Sequence, residues 1–223
     1  LHFLFEYFNS DKGNKFIDQY PEPFKRRKKK EKVIAHSYSK YYEKYFEILK
    51  KESVNILEIG SFYGNASAAL YFYFKNARIF GADINPDMFK YRSDRMKSFY
   101  VDSGSRESIE KNIVEKKISF KIIIEDASHS LKDQILSLFI LFKVLDPTGI
   151  FVVEELDFPE KREDMRINQS PPNLKEILKN VIDRKDFNSE YISENEKNYF
   201  LNNVESINFY RGNFNEIAII KKK

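Results

Sequence analysis

The chain has no cysteine among its 223 residues. Disulfide bridges and thiolate metal sites are thereby excluded, and a reducing, cytoplasmic setting is the expectation. No apolar run approaches the roughly 18–20 residues needed to cross a bilayer. The opening residues, LHFLFEYFNSDKG, lack the basic lead and the small-residue cleavage site of a secretory signal. They begin on Leu, so a trimmed initiating end is expected. Internal repeats and coiled-coil heptads are also missing.

What is present suits a globular chain, most economically one domain: 42% of residues are apolar, with 21 Phe and 14 Tyr. The net charge of +4 is concentrated in FKRRKKKEK, Phe24–Lys32, and in the terminal Lys221–Lys223. A run such as Lys25–Lys30 is able to grip phosphates of RNA or of an anionic membrane. Without interleaved aromatic residues it reads better as a solvated loop, which leaves nucleic acid as the disfavoured partner.

Short apolar runs alternate with helical periodicity, the pattern of an α/β sheet with helices on both faces. Strands are predicted at Val54–Ile59, Ala77–Ala82, Ser98–Val101, Phe120–Glu125 and Ile150–Glu154. Val204–Phe209 and Glu216–Ile220 read as a closing hairpin. Leu131, Ile135, Leu138, Phe142 and Leu145 mark one helix, with Ser130 and Asp133 placed to cap it. Leu174, Ile177, Leu178, Val181 and Ile182 mark another after Pro171-Pro172. Tyr38, Tyr41, Tyr42, Tyr45 and Leu49 share one helical face, which reads as core packing. The polar stretch Asp157–Ser170 is long enough to suggest a lid or binding loop.

The stretch VNILEIGSFYGNASAAL, Val54–Leu70, runs from a strand through a turn into a helix. Gly60-Ser61-Phe62-Tyr63-Gly64 is neither G-x-G-x-x-G nor a phosphate loop, since no Gly-Lys-Ser/Thr follows. Gly60 and Gly64 are expected to let a ligand approach the backbone. Glu58, just before the turn, would repel a pyrophosphate but accept a bond from an ammonium or hydroxyl. Asp83 in IFGADINP would accept bonds from ribose hydroxyls, and Asp102 in FYVDSGS would lie near an adenine. Any one of these acids alone is weak evidence, because Asp is a common turn residue.

LEIGSFYGNAS, GADINP and YVDSGS resemble the first three motifs of Rossmann-like S-adenosylmethionine-dependent methyltransferases. The resemblance spans about Val54 to Lys222. It implies a mostly parallel seven-stranded sheet with a C-terminal antiparallel hairpin. Glu58, Gly60, Ser61, Tyr63 and Gly64 would then surround the methionine part, with Asp83 on the ribose and Asp102 near the adenine.

The acceptor side falls near IIIEDASHSLKD and GIFVVEELDF. If these strands are neighbours, about 4.8 Å apart, Asp126 and the Glu154/Glu155 pair come together. Three carboxylates without a basic partner repel one another, and Mg2+ would relieve that. His129 is of the right type for a general base. The bland alternatives are a satisfied histidine at a helix start, an Asp126 that caps a turn, and two glutamates on opposite strand faces. From the residues alone, the metal and bland readings are evenly balanced.

DASH, followed by EE after the next strand, resembles the metal-binding branch of these enzymes that methylates sugar hydroxyls, typified by macrolide-sugar O-methyltransferases. The resemblance implies Mg2+ on Asp126, Glu154 and Glu155, with His129 taking the hydroxyl proton. Glu155 stands where that group typically has Asp. SDKG and HSYSKYYEKYF resemble its short elements ahead of the core, which assigns Lys12, His36 and Tyr38 to the cofactor and acceptor neighbourhood. Residues 1–50 would form a cap segment and residues 51–223 the core. The expected acceptor is a sugar or sugar nucleotide, plausibly a surface-polysaccharide precursor. Alternatives are a catechol-like or other small diol and, further off, an RNA-binding methyltransferase. Self-association into a homo-oligomer is compatible with the resemblance. The stretch Asp157–Ser170 does not look like that group's aromatic lid.

Overall fold

A computed structural model describes residues 1–17 and 32–223; the basic run Lys25–Lys30 lies outside them. The chain starts with α1 (His2–Tyr7), then the antiparallel pair β1 (Lys15–Ile17) and β2 (Lys32–Ile34), then α2 (Ser39–Phe46). The first half of the main sheet follows: β3 (Asn55–Ile59), α3 (Asn65–Tyr73), β4 (Arg78–Asp83), β5 (Met96–Tyr100) and α4 (Arg106–Asn112). Next come β6 (Phe120–Glu125), α5 (Leu131–Leu141), β7 (Leu145–Val153) and the short α6 (Phe158–Lys161). The chain finishes with α7 (Leu174–Arg184), α8 (Glu194–Asn203), β8 (Val204–Arg211) and β9 (Glu216–Lys222).

The main sheet has seven strands in the order β5-β4-β3-β6-β7-β9-β8. The first five are parallel, and β9 runs antiparallel to both β7 and β8. This is the expected Rossmann-like architecture. Strand alternation sorts the core into two layers. Leu57, Ile59, Ile123, Phe151 and Val153 face α4, α5, α7 and α8. Ile56, Ile122, Ile124, Ile150 and Val152 face α1, α2 and α3. Helices therefore cover both faces, which is why the parallel strands read as near-continuous apolar runs.

The Tyr38–Leu49 stripe does pack into the core, where Tyr38, Tyr42, Phe46 and Leu49 are buried. Ser130 caps α5 by accepting from the Asp133 amide. Two expectations differ from the structure. Leu145 opens β7 instead of closing α5, because it pairs with Phe120 and Pro147 follows within the strand. The 157–170 stretch is also not structureless: it contains α6 and a 3-10 turn at Glu163–Met165. No helix among the described residues is long and apolar enough to cross a membrane.

Register positions the site. Ile59 pairs with both Ala82 and Glu125, and Glu125 pairs with Val153. The residues just beyond are stitched on in the same row: Asp126 N donates to Ile59 O (2.9 Å), and Glu154 N donates to Glu125 O (2.9 Å). Asp83, Gly60, Asp126 and Glu154 thus line up along the carboxyl edge. Strand order reverses between β3 and β6, the place where open α/β sheets bind ligands.

Candidate active site

Gly60 and Gly64 lie at φ +81° and +78°, conformations that L side chains avoid. A side chain at either position would also collide with the protein's own atoms. A Cβ on Gly60 would drive into the backbone of Asp126. One on Gly64 would come within 2.7 Å of the Phe89 ring. The β3 exit is thus pressed against the β6 exit. Gly60 N and Ser61 N both donate to Ala82 O, at 2.8 and 3.1 Å. The buried Ser61 Oγ has no hydrogen-bond partner, and the Tyr63 ring lies under Lys90 Nζ at 3.5 Å from its centroid.

Asp83 braces this turn. Its Oδ2 accepts from Phe62 N and its Oδ1 from Asn85 N, both at 2.8 Å. Asp102 Oδ1 accepts from Gly104 N at 2.9 Å. Both acids therefore have the turn-forming bonds that Asp residues commonly make; Asp83 closes β4 and Asp102 follows the edge strand β5.

The acidic cluster does have a basic partner, contrary to the sequence expectation. Lys12, only 1% exposed, reaches in from the segment between α1 and β1. Its Nζ ion-pairs with Asp126 Oδ2, with Glu154 Oε1 at 2.9 Å and with Glu58 Oε1 at 3.7 Å. The segment is tied down by Tyr38 N and Ser39 N, which donate to Lys12 O at 3.0 and 3.1 Å. Burial pulls the Lys12 pKa down, but Asp126, Glu154 and Glu58 more than offset this and hold it well above the ordinary value. Burial pushes Glu58 up to about 7, against the opposing pull of Lys12 and of Ser67, whose hydroxyl donates to Glu58 at 2.5 Å.

Glu154 belongs to this inner group. Besides Lys12 it accepts from the buried Tyr42 hydroxyl, and it is not among the atoms that converge as a cation site. Those come from Asp126, His129 and Glu155, whose ligand atoms all lie within 4.8 Å of one another. Glu155 turns toward that group because β7 ends at Val153 and the backbone of Glu155 is left-handed (φ +45°). The two glutamates therefore do not alternate as they would along a regular strand. Gln134, buried on α5, donates to Glu154 O at 3.2 Å and Glu155 O at 3.3 Å and so holds this turn.

His129 is left-handed too, at φ +59°. Its Nε2 is 3.9 Å from Asp126 Oδ1 and its Nδ1 3.9 Å from Glu155 Oε2. Burial lowers its pKa, outweighing the opposite pull of Asp126, so the neutral imidazole is favoured. The Phe158 ring of α6 meets it edge-on at 5.0 Å. On the other side, His36 Nε2 lies 3.1 Å from Glu155 Oε1, and its ring stacks on Tyr38 at 5.1 Å. Phe214, in the β8–β9 turn, approaches His36 edge-on and is 48% exposed. The structure thus brings together Lys12, His36, Tyr38, Glu58, Asp126, His129, Glu154 and Glu155.

The donor set suits a hard or borderline divalent cation, with two carboxylates and one imidazole. Glu155 Oε2 and His129 Nδ1 are buried without a hydrogen-bond partner, as expected of atoms meant for a ligand. The residues therefore fit a metal, and Glu154 is not among the converging donors. Sequence reading missed Tyr42 and Gln134, the first hidden in a core stripe. The second is an amide buried on α5 beside Leu131, Ile135 and Leu138, and that mismatch was its one visible signal.

A methyltransferase-domain profile matches residues 50–205. An 8-demethyl-8-alpha-L-rhamnosyl tetracenomycin-C 2'-O-methyltransferase from Streptomyces olivaceus is 27% identical over 128 residues, covering 54% of this chain and 33% of that protein. Among solved structures, the MycE methyltransferase of the mycinamycin biosynthetic pathway, in complex with Mg and SAH, superposes with a TM-score of 0.68. It is 21% identical, over 83% of this chain and 49% of that one. A putative caffeoyl-CoA O-methyltransferase from Staphylococcus aureus gives a TM-score of 0.54 at 15% identity, over 86% and 85% of the two chains. At such identities the structural likeness speaks for the fold alone. The chain spans about half of MycE and a third of the Streptomyces protein. The profile match covers more than half of the chain, which belongs to the methyltransferase-domain family with the class I S-adenosylmethionine-dependent fold.

Proposed function

We propose that the protein is an S-adenosylmethionine- and Mg2+-dependent O-methyltransferase acting on a sugar hydroxyl. The observation that carries the proposal is the convergence of Asp126, His129 and Glu155 beside the Gly60 turn at the strand-order reversal. The name of the Streptomyces relative, a rhamnosyl 2'-O-methyltransferase, supports the acceptor class, and the Mg in the mycinamycin enzyme's complex supports the cation. A bound divalent cation would hold two neighbouring hydroxyls and make one of them more acidic.

In this reading Glu58 and the Gly60–Gly64 turn, with Ser61 and Tyr63, receive the methionine part of the cofactor. Asp83 takes the ribose and Asp102 the adenine side. Asp126 and Glu155 hold the cation. His129, kept neutral by burial, accepts the hydroxyl proton as the oxygen takes up the methyl group. Phe158 and Phe214 flank the two imidazoles and would give the apolar face of a sugar ring a surface to rest on. Most of the acceleration would come from positioning, since the sulfonium methyl is already reactive.

A second reading keeps the acceptor but makes His129 the third cation ligand, favoured by its place among the converging donors. The two separate on one variant: His129→Gln keeps cation binding if the residue is a base and loses it if it is a ligand. The overall test supplies labelled S-adenosylmethionine, Mg2+ and a panel of free, nucleotide-linked and glycoside sugars. Methyl transfer to a sugar that a chelator abolishes is the expected result. Transfer only to catechols, or transfer indifferent to chelator, would remove the proposal.

A further inference from the structure

Lys12 is a deeply buried cation inside the acidic cluster, and a divalent ion has no need of such a companion. It meets one carboxylate from each of three strand ends: Glu58 at β3, Asp126 after β6 and Glu154 after β7. Its backbone is fixed by residues 38 and 39, so the ammonium is a built part of the site and not a loose tail. It divides the acids in two. Glu58, Glu154 and Oδ2 of Asp126 face Lys12, while Oδ1 of Asp126 faces His129, and Glu155 faces both imidazoles.

We infer that Lys12 is a built-in rival of the divalent cation, confining it to Asp126 Oδ1 and Glu155 on the side that faces His129 and keeping its binding weak. The inference rests on the metal reading above. Two cations sharing one carboxylate repel each other strongly where little water intervenes to screen them. The occupied inner half also leaves the cation fewer protein ligands than the acids in the row would offer. Open positions then remain for acceptor oxygens, in the manner of Mg2+ sites that retain exchangeable ligands. Lys12 is in this sense a positioning residue: it acts on the acceptor through the cation.

The test titrates Mn2+, as the probe ion, into the full chain by calorimetry, with thermal unfolding as a control on folding. Lys12→Met is expected to bind Mn2+ about tenfold tighter or more than wild type. Lys12→Arg, which keeps the charge, is expected to stay near wild type. Unchanged or weaker binding by Lys12→Met would overturn the inference and leave the metal reading standing. Binding by Lys12→Met where wild type binds none would support it in its strongest form. Failure of every variant to bind would overturn both. If Lys12→Met does not fold, Lys12→Gln carries the same expectation, because it removes the positive charge while keeping a polar end. Independently of those variants, Mn2+ must broaden the Nζ resonance of Lys12 in the labelled wild-type protein, identified by its absence from Lys12→Arg. A sharp Lys12 signal at saturating Mn2+ would overturn the inference.

Discussion

His129 Nδ1 and Glu155 Oε2 face one another across 3.9 Å, each on a residue with left-handed backbone. Neither is a glycine, so each conformation costs free energy that the surroundings must offset. Gln134 provides part of that support by anchoring the carbonyls of Glu154 and Glu155. Ser130, next to His129, caps α5 by accepting from the Asp133 amide. Strain held at two facing residues is the pattern expected where geometry serves a ligand.

Glu155 and Glu154 should therefore behave differently despite being adjacent. Glu155→Gln is expected to weaken Mn2+ binding roughly tenfold or more, the scale on which metal sites respond to lost support. Glu154→Gln should change it far less, because Lys12 and Tyr42 hold that carboxylate. Calorimetry on the two variants checks this, and equal losses would return Glu154 to the cation.

His129→Ala should lose about 100-fold or more in turnover, the usual contribution of a general base. Its affinity for S-adenosylhomocysteine should stay unchanged, since Glu58 and the Gly60 turn lie on the other side of Asp126. Steady-state assays alongside a binding titration decide it. Turnover near wild type would refute the base assignment.

Gly60→Ala should destabilise the fold by about 2–3 kcal/mol or more, combining a positive φ with a collision against the Asp126 backbone. Chemical denaturation measures this directly. A loss below about 0.5 kcal/mol would mean that the two strand exits are not packed as described.

Glu196 links stability to acid. Burial raises its pKa, but Arg106, the Ser193 amide and Lys143 together bring it down to about 2, from an ordinary 4.5. A folded-state pKa below the unfolded one means that the carboxylate stabilises the fold above the unfolded value. That contribution should fade as pH falls from about 4.5 toward 2. Denaturation midpoints across this window should fall more steeply for wild type than for Glu196→Gln. Parallel slopes would refute the assignment.

Much of the fold is legible in the sequence for a physical reason. Strands buried on both faces are mostly apolar, so Phe120–Glu125 is read with both of its ends correct. The N-terminal helix and α4 are short, without a full period of apolar positions. Helix α8 is mostly polar, and its one clear signal is the capping box of Ser193 and Glu196. In the site, Asp126, His129 and the Glu154/Glu155 pair stand out as candidates because they follow strand ends, and the resemblance to the sugar-methylating branch supplies the metal reading. The bond from Lys12 to Asp126 spans 114 positions, and nothing local to Lys12 reveals which carboxylates it meets. The left-handed turn at Glu155 is equally hidden, since Glu does not advertise a positive φ.

The matched methyltransferase profile begins at residue 50, whereas Lys12, His36, Tyr38 and Tyr42 all precede it. A fragment cut at that boundary would keep every strand of the main sheet. It would also leave Glu58, Asp126 and Glu154 without their ammonium and Glu155 without its His36 neighbour. The evolutionary module and the chemically complete one have different borders here. Transplanting the core alone into another protein would carry over a scaffold whose charge had been left behind.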